Sequence, residues 1–425
     1  CTSAVTTTVT INSLPVVAAI TGTTTVCEGA TTTLASVTTG GVWSTANTAT
    51  ATISSTGVVT GVAAGTTTMT YTVTNANGCT SSVSTALVVN AIPQVAAITG
   101  TTEVCAGSTT ALANATASGV WTSSNTAVAT VNASGVVSGV AAGSTTITYT
   151  VTTNGCTANA QAVVNVNALP TLAAIGGTMN ACIGSATILT NTTSGGVWTS
   201  SNTAVATVNS ITGNVTGVTA GTATITYTYT NSNGCTSAVT AGVTINALPS
   251  AGTIVGATAV CAGATTTLTN ATGSGVWSTA NTATATINSS GDVTGVAAGT
   301  TTLTYTVTDN NGCTASVSSS MTVNAIPVVA AITGTTEVCD GSTTALASAT
   351  TGGVWTSSDN TIASIDVNGV VTGEAAGTAT ITYTVTTNGC TSSAQAVVNV
   401  NALPTLAAIG GTMNACIGSA TILTN

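Results

Sequence analysis

Residues Gly119–Thr152 read GVWTSSNTAVATVNASGVVSGVAAGSTTITYTVT, and the fold is legible from them. The stretch ends in strict alternation. The equivalent place around Thr222 reads Thr-Ala-Thr-Ile-Thr-Tyr-Thr-Tyr-Thr. Side chains on a strand point to opposite faces with period 2, so Ala223, Ile225, Tyr227 and Tyr229 are expected inward and the threonines outward. Upstream, Ala127–Val131 and Gly135–Val140 are two short runs joined by a small polar turn, the pattern of a hairpin. Nothing in the stretch has the i, i+3, i+4 spacing of an amphipathic helix.

The unit recurs five times. Its tryptophans, Trp43, Trp121, Trp198, Trp277 and Trp355, lie 78, 77, 79 and 78 residues apart. Such a period is too long for a solenoid repeat and suits a small seven-stranded sandwich. The expected fold class is all-β: a tandem array of seven-stranded, immunoglobulin-like β-sandwich domains of about 78 residues each. One tryptophan at the same place in every repeat reads as core rather than as an exposed sugar platform. A higher period lies above this one, because Thr171–Asn191 and Thr405–Asn425 are identical and 234 residues apart. The gene is read as having grown by copying blocks of three domains.

The 425 residues include no Lys, Arg, His or Phe, and nine acids are the only charged side chains. Nucleic-acid binding needs basic groups to neutralise phosphates, so it is excluded. A serine triad and a His-ligated metal site both need His. No run of 18 apolar residues occurs, because Thr and Ser interrupt every apolar stretch, so no membrane span is expected. No signal peptide is visible either. The chain opens inside a motif that ends a repeat and stops early in another, which reads as a window onto a longer protein.

Six prolines, at 15, 93, 170, 249, 327 and 404, each stand in Asn-(Ala/Ser)-(Leu/Ile)-Pro. Proline holds its neighbour extended and is excluded from central strands, so these mark short, stiff joints. The expected divisions are 1–14, the C-terminal strand of a preceding repeat; five Ig-like repeats at 15–92, 93–169, 170–248, 249–326 and 327–403; and 404–425, the start of a further repeat. Within 93–169, a strand before Cys105 is followed by a tight turn at Ala106-Gly107 and a strand over Thr109–Ala113. Then come a strand holding Trp121, the hairpin, a strand over Thr145–Thr152, a turn, and a last strand over Thr157–Asn167.

The pattern GVWTSSNTAVATV…GVVSGVAAGSTTITYTV resembles the bacterial immunoglobulin-like group 2 domain, the module of intimin- and invasin-type adhesins. Trp121, Ser123-Ser124-Asn125, Ala129-Thr130-Val131, Gly135-Val136-Val137 and Ala142-Gly143 carry the resemblance. The added Val-Cys-x-Gly and Asn-Gly-Cys motifs are similar to repeats of giant surface proteins exported by gliding Bacteroidota, among them gliding adhesins and hook- or cable-like appendages. The resemblance implies an extracellular filament or adhesin.

Twelve cysteines fall at regular intervals. Each repeat has one near its start, in Val-Cys-x-Gly or Ala-Cys-Ile-Gly, and one near its end, in Asn-Gly-Cys. No C-x-x-C occurs, and even spacing in small domains suggests disulfides in an oxidising, extracellular setting. In a simple sandwich successive turns alternate between poles. The first cysteine sits on turn one and the second on turn six, hence at opposite ends. A strand of eight to ten residues spans roughly 25–35 Å, whereas bonded Cα atoms lie about 4.4–6.8 Å apart. Junction bonds between neighbouring repeats are therefore favoured: Cys27–Cys156, Cys105–Cys235, Cys182–Cys313 and Cys261–Cys390. Intradomain bonds stay open as the alternative: Cys27–Cys79, Cys105–Cys156, Cys182–Cys235, Cys261–Cys313 and Cys339–Cys390. Pairing across the 26-residue interval is disfavoured, since it brackets an extended run.

The acids are Glu28, Glu103, Asp292, Asp309, Glu337, Asp340, Asp359, Asp366 and Glu374. No repeat has the run of alternating acids that a calcium site needs, Asp309-Asn310-Asn311 and Asp359-Asn360 being the nearest approach. No acid pair recurs for glycosidase chemistry. Neither cofactor nor metal is expected, and no catalytic residue is assigned. The outward threonines suit solvent or a flat polar surface, and sequons such as Asn114-Ala115-Thr116 matter only in a glycosylating host. A nearly uncharged surface favours association, so the expected partners are other copies in a multi-stranded filament, with a cell or surface ligand bound elsewhere. The leading expectation is a structural shaft. The alternative is a binding module that recognises glycans or a partner through its repeats.

Overall fold

The computed structural model describes residues 4–411, 414 and 416–424, so Cys1 lies outside the described residues. The first complete repeat shows the plan. Its strands are β1 (Thr21–Gly22), β2 (Thr25–Cys27), β3 (Thr31–Ala35), β4 (Val42–Thr45), β5 (Ala51–Ile53), β6 (Val58–Gly61), β7 (Gly65–Thr74) and β8 (Thr80–Asn90). They form two four-stranded sheets, ordered β1-β3-β6-β5 and β2-β8-β7-β4. All neighbours are antiparallel except β2, which runs parallel to the end of β8 with Cys27 opposite Asn90. The first segment thus crosses from one sheet to the other at Thr23-Thr24, giving eight strand segments where seven strands were expected. The plan repeats through the array. In the fourth repeat the third strand is broken at Leu268.

The alternation does what its period requires. Along Gly221–Thr230, Ala223, Ile225 and Tyr227 are buried while Thr222 and Thr224 are exposed. Tyr229 departs from the expectation: at the strand's end it is only half-buried. Each core is a thin layer between the sheets. In the second repeat it holds Val104, Leu112, Ala129, Val137, Ile147, Val164 and Val166. Among the tryptophans only Trp198 is buried. Trp43, Trp121, Trp277 and Trp355 are half-buried and pack against the side of their cores, a correction to the reading of all five as interior. They sit on β4 and its counterparts, which are edge strands with no neighbour on one flank.

Beside each tryptophan stands a tyrosine, at ring-centroid distances of 4.5 to 4.7 Å. In the second repeat the Tyr149 hydroxyl accepts the Gly119 N–H at 2.8 Å and donates to the Thr116 carbonyl at 2.7 Å. A Cβ on Gly119 would lie 2.3 Å from the tyrosine ring, so only glycine lets the backbone reach the hydroxyl. Gly135 closes the hairpin at φ 80°, in the left-handed region that favours glycine.

The segment 4–14 was expected to be a strand. Its described residues form no strand. At the other end, Gly410–Gly411 pairs with Leu423–Thr424 as β1 pairs with β3.

Candidate functional site: the joints between repeats

The two hairpin motifs at the joints differ in build. In the second and fifth repeats Asn154-Gly155 and Asn388-Gly389 all have positive φ, which gives a two-residue turn. In the first and third the turn is longer. There Asn75 Oδ1 accepts the N–H groups of Asn77 and Cys79, and Asn231 does the same for Asn233 and Cys235. Both builds present the cysteine at the pole that meets the preceding repeat.

The Val-Cys-x-Gly cysteine reaches the same joint from the other side. Cys105 stands opposite Asn167, the last residue of the long strand Cys156–Asn167, and the chain passes from there into the next repeat. Four disulfides cross the joints: Cys27–Cys156, Cys105–Cys235, Cys182–Cys313 and Cys261–Cys390, with Cα atoms 5.6 to 5.7 Å apart. The intradomain bonds Cys27–Cys79, Cys105–Cys156, Cys182–Cys235, Cys261–Cys313 and Cys339–Cys390 are not formed. The reason is length. Cys156 begins a 12-residue strand and Cys105 stands beside its far end, a separation of roughly 35 Å.

Hydrogen bonds support three of the four staples. Asn90 Nδ2 donates across the first bridged joint to Asn154 O at 3.1 Å, and Asn324 donates to Asn388 O at 3.1 Å. With the longer hairpin the donor comes from the other side: Asn231 Nδ2 to Ala168 O at 3.2 Å, and Asn75 Nδ2 to Ser13 O at 2.9 Å. At the remaining joint the equivalent position is Asp309, whose carboxylate has no N–H to donate. The disulfide Cys182–Cys313 stands there without that hydrogen bond. Sequence reasoning missed these asparagines, although each joint motif displays them.

The acids hold turns and strand ends. Glu103 accepts from Asn165 Nδ2 and Asn167 Nδ2 at 2.7 and 2.9 Å, and Glu337 does the same with Asn399 and Asn401. These amide hydrogen bonds hold both carboxyls below the usual range. Asp292 is lowered by Asn288 and then Thr267, Asp359 by Thr361, and Asp366 chiefly by the Val370 N–H. Glu28 accepts the Ala64 N–H and Glu374 the Ser364 hydroxyl. Asp309 accepts the N–H groups of Asn311 and Cys313. Asp340 lies in the turn after Cys339, where its N–H donates to Asn401 O. Among the described residues no three acids, histidines or cysteines gather as a metal would require. No helix among them is long and apolar enough to cross a membrane.

The bacterial Ig-like domain (group 2) family matches residues 89–162, 184–240 and 319–398. No curated protein matches the chain. Among solved structures, domains 1–6 of the surface layer protein SbsC are 17% identical, covering 96% of this chain and 66% of that one, with a TM-score of 0.19. A Ca2+-stabilized adhesin with which an Antarctic bacterium binds ice is 15% identical over 72% of this chain and 99% of its own, TM-score 0.27. A SusE-like surface polysaccharide-binding protein of Bacteroides thetaiotaomicron is 12% identical over 91% and 72%, TM-score 0.22. The chain thus spans about two thirds of the S-layer fragment.

Disulfides between repeats that match an Ig-like domain family place the chain in an extracellular, surface-associated setting. The sequence lacks the His, Lys and Arg of most acid–base and charge-stabilising machinery. Three segments of the chain match the bacterial Ig-like domain family of group 2, and its repeats are tied to one another by disulfides.

Proposed function

We propose that the chain is the shaft of an extracellular filament, hook-like appendage or giant adhesin, and that its repeats carry tension through their stapled joints. The proposal takes the prolines as domain limits, with repeats at 15–92, 93–169, 170–248, 249–326 and 327–403 and flanking pieces at 1–14 and 404–425. The observation that carries it is the placement of every disulfide among the described residues across a joint rather than inside a repeat. A bond inside a bead protects that bead alone. A bond between beads makes a second covalent route along the rod.

That route gives the test. Pulled by its ends, the oxidised chain has a short covalent path that crosses from Cys27 to Cys156, from Cys105 to Cys235 and from Cys261 to Cys390. Its limiting extension is about 50 nm, against about 140 nm for the reduced chain, at roughly 3.4 Å per residue. Single-molecule stretching with and without a thiol reductant reads this difference directly. An oxidised chain that extends to the reduced length defeats the proposal.

The shaft is also proposed to bundle sideways with other copies. Thr, Ser, Asn and Ala surfaces offer hydroxyls and amides with little like-charge repulsion. Bundling is then expected to be nearly indifferent to salt, because no basic side chain is present to form ion pairs. Sedimentation between low and high ionic strength checks it, and dissociation by salt counts against it.

A further inference from the structure

Besides the exposed Cys416, Cys79 and Cys339 are free thiols among the described residues, half-buried and exposed respectively. We infer that they are the open halves of two further joints: Cys79 takes the turn cysteine of another repeat of this kind, and Cys339 takes the hairpin cysteine of one. All four bonds among the described residues obey this rule, joining a turn cysteine of one repeat to an Asn-Gly-Cys hairpin cysteine of the following one.

Both thiols already stand in the geometry of a closed joint. Cys339 lies opposite Asn401 as the bonded Cys105 lies opposite Asn167. Its turn is also the same: Ser342 N–H donates to Cys339 O at 3.0 Å and Gly341 N–H to Gly373 O at 2.9 Å. The bonded turn has 3.0 Å for Ser108 to Cys105 and 2.8 Å for Gly107 to Gly139.

Cys79 matches the bonded Cys235 as closely. Each backbone N–H is held at 3.0 Å by the Oδ1 of the asparagine four residues earlier. Cys79 Sγ lies 4.0 Å from Asn12 O, and Cys235 Sγ lies 4.0 Å from Asn167 O. Asn167 is the residue beside the partner cysteine, Cys105. Asn12 therefore stands to Cys79 as Asn167 stands to Cys235. The hydrogen bond from Asn75 to Ser13 is in place without any disulfide, so the bond locks a joint that its asparagines have already set.

The chemistry is thiol–disulfide exchange with a low-molecular-weight disulfide such as oxidised glutathione. One protein thiolate attacks the small disulfide and expels one small thiol. The second protein thiolate then attacks the protein sulfur of the mixed disulfide and expels the other. Two protein thiols lose two protons and two electrons, and one small disulfide becomes two thiols. Turn-to-hairpin pairing is heterologous, so growth by this bond is head-to-tail and polar.

The inference rests on the shaft reading, and one experiment separates the two. Native protein is alkylated to block free thiols, digested without reduction by proteases other than trypsin, and its cross-linked peptides are identified by mass spectrometry. The expected result is loss of alkylation at both positions. Cys79 appears linked to a peptide bearing a Val-Cys-x-Gly or Ala-Cys-x-Gly turn, and Cys339 to an Asn-Gly-Cys peptide. A link from Cys339 to the NANGCTSS peptide of Cys79 identifies a second copy of this chain as the partner. A link to any other Asn-Gly-Cys flank identifies a different repeat. Alkylation of either thiol, a hairpin-to-hairpin or turn-to-turn link, or a small-thiol adduct overturns the inference while leaving the shaft reading intact. Absence of the Cys27–Cys156 link in the same digest removes the shaft reading itself.

Discussion

Replacing Tyr149 by Phe removes a single oxygen and leaves the Gly119 N–H and the Thr116 carbonyl without their partner. A buried polar group left unpaired costs about 1–3 kcal/mol. Tyr149→Phe is therefore expected to lower the stability of the second repeat by that amount, read as a shift in the denaturant midpoint. Gly119→Ala should cost more, because its methyl group would overlap the ring. The tyrosine's inward place was legible from alternation alone. Its hydroxyl contacts were not, since nothing local links Thr116 and Gly119 to a residue 30 or more positions later. The tryptophans show the reverse limit. Their recurrence pointed to packing, but period 2 does not distinguish a central strand from an edge strand, and at the edge four of them stay half-exposed.

At the scale of the strand and hairpin, the joint between the third and fourth repeats is the singular one. Asp309 occupies the place from which Asn75 and Asn231 reach across their joints. Asp309→Asn is expected to restore the donor and to narrow the spread of bend angles at this joint once the disulfides are reduced. Small-angle scattering under reducing conditions reads it as a longer maximum dimension than the parent chain shows. No change would mean that the asparagine contacts follow the joint geometry rather than set it. Turn order and strand length made the poles of the sandwich legible, and with them the distance that forbids intradomain bonds. The crossing of β1–β2 between sheets was not legible: Thr-Thr at the crossing is as good a strand sequence as any beside it.

The whole molecule titrates in an unusual way, because its side chains include acids and no bases. Glu103, Asp292, Glu337, Asp359 and Asp366 all have lowered pKa values in the folded chain. A lowered carboxyl contributes stability above its unfolded pKa, and that contribution is lost as pH falls through the folded pKa. Melting is therefore expected to be flat from neutral pH down to about 5 and to decline modestly below about 4. At pH 2 the side chains are neutral rather than positive, so the repulsion that drives acid unfolding never develops. Thermal melts at pH 7 and pH 2 decide the matter, and cooperative unfolding on acidification alone would contradict it. The four bridges also overlap, since Cys105–Cys235 begins inside the span of Cys27–Cys156, and each later one begins before its predecessor ends. Every peptide bond between Cys27 and Cys390 lies under at least one of them. A protease that cuts this stretch once leaves a single covalent molecule, which comes apart only after a second cut or the action of a reductant.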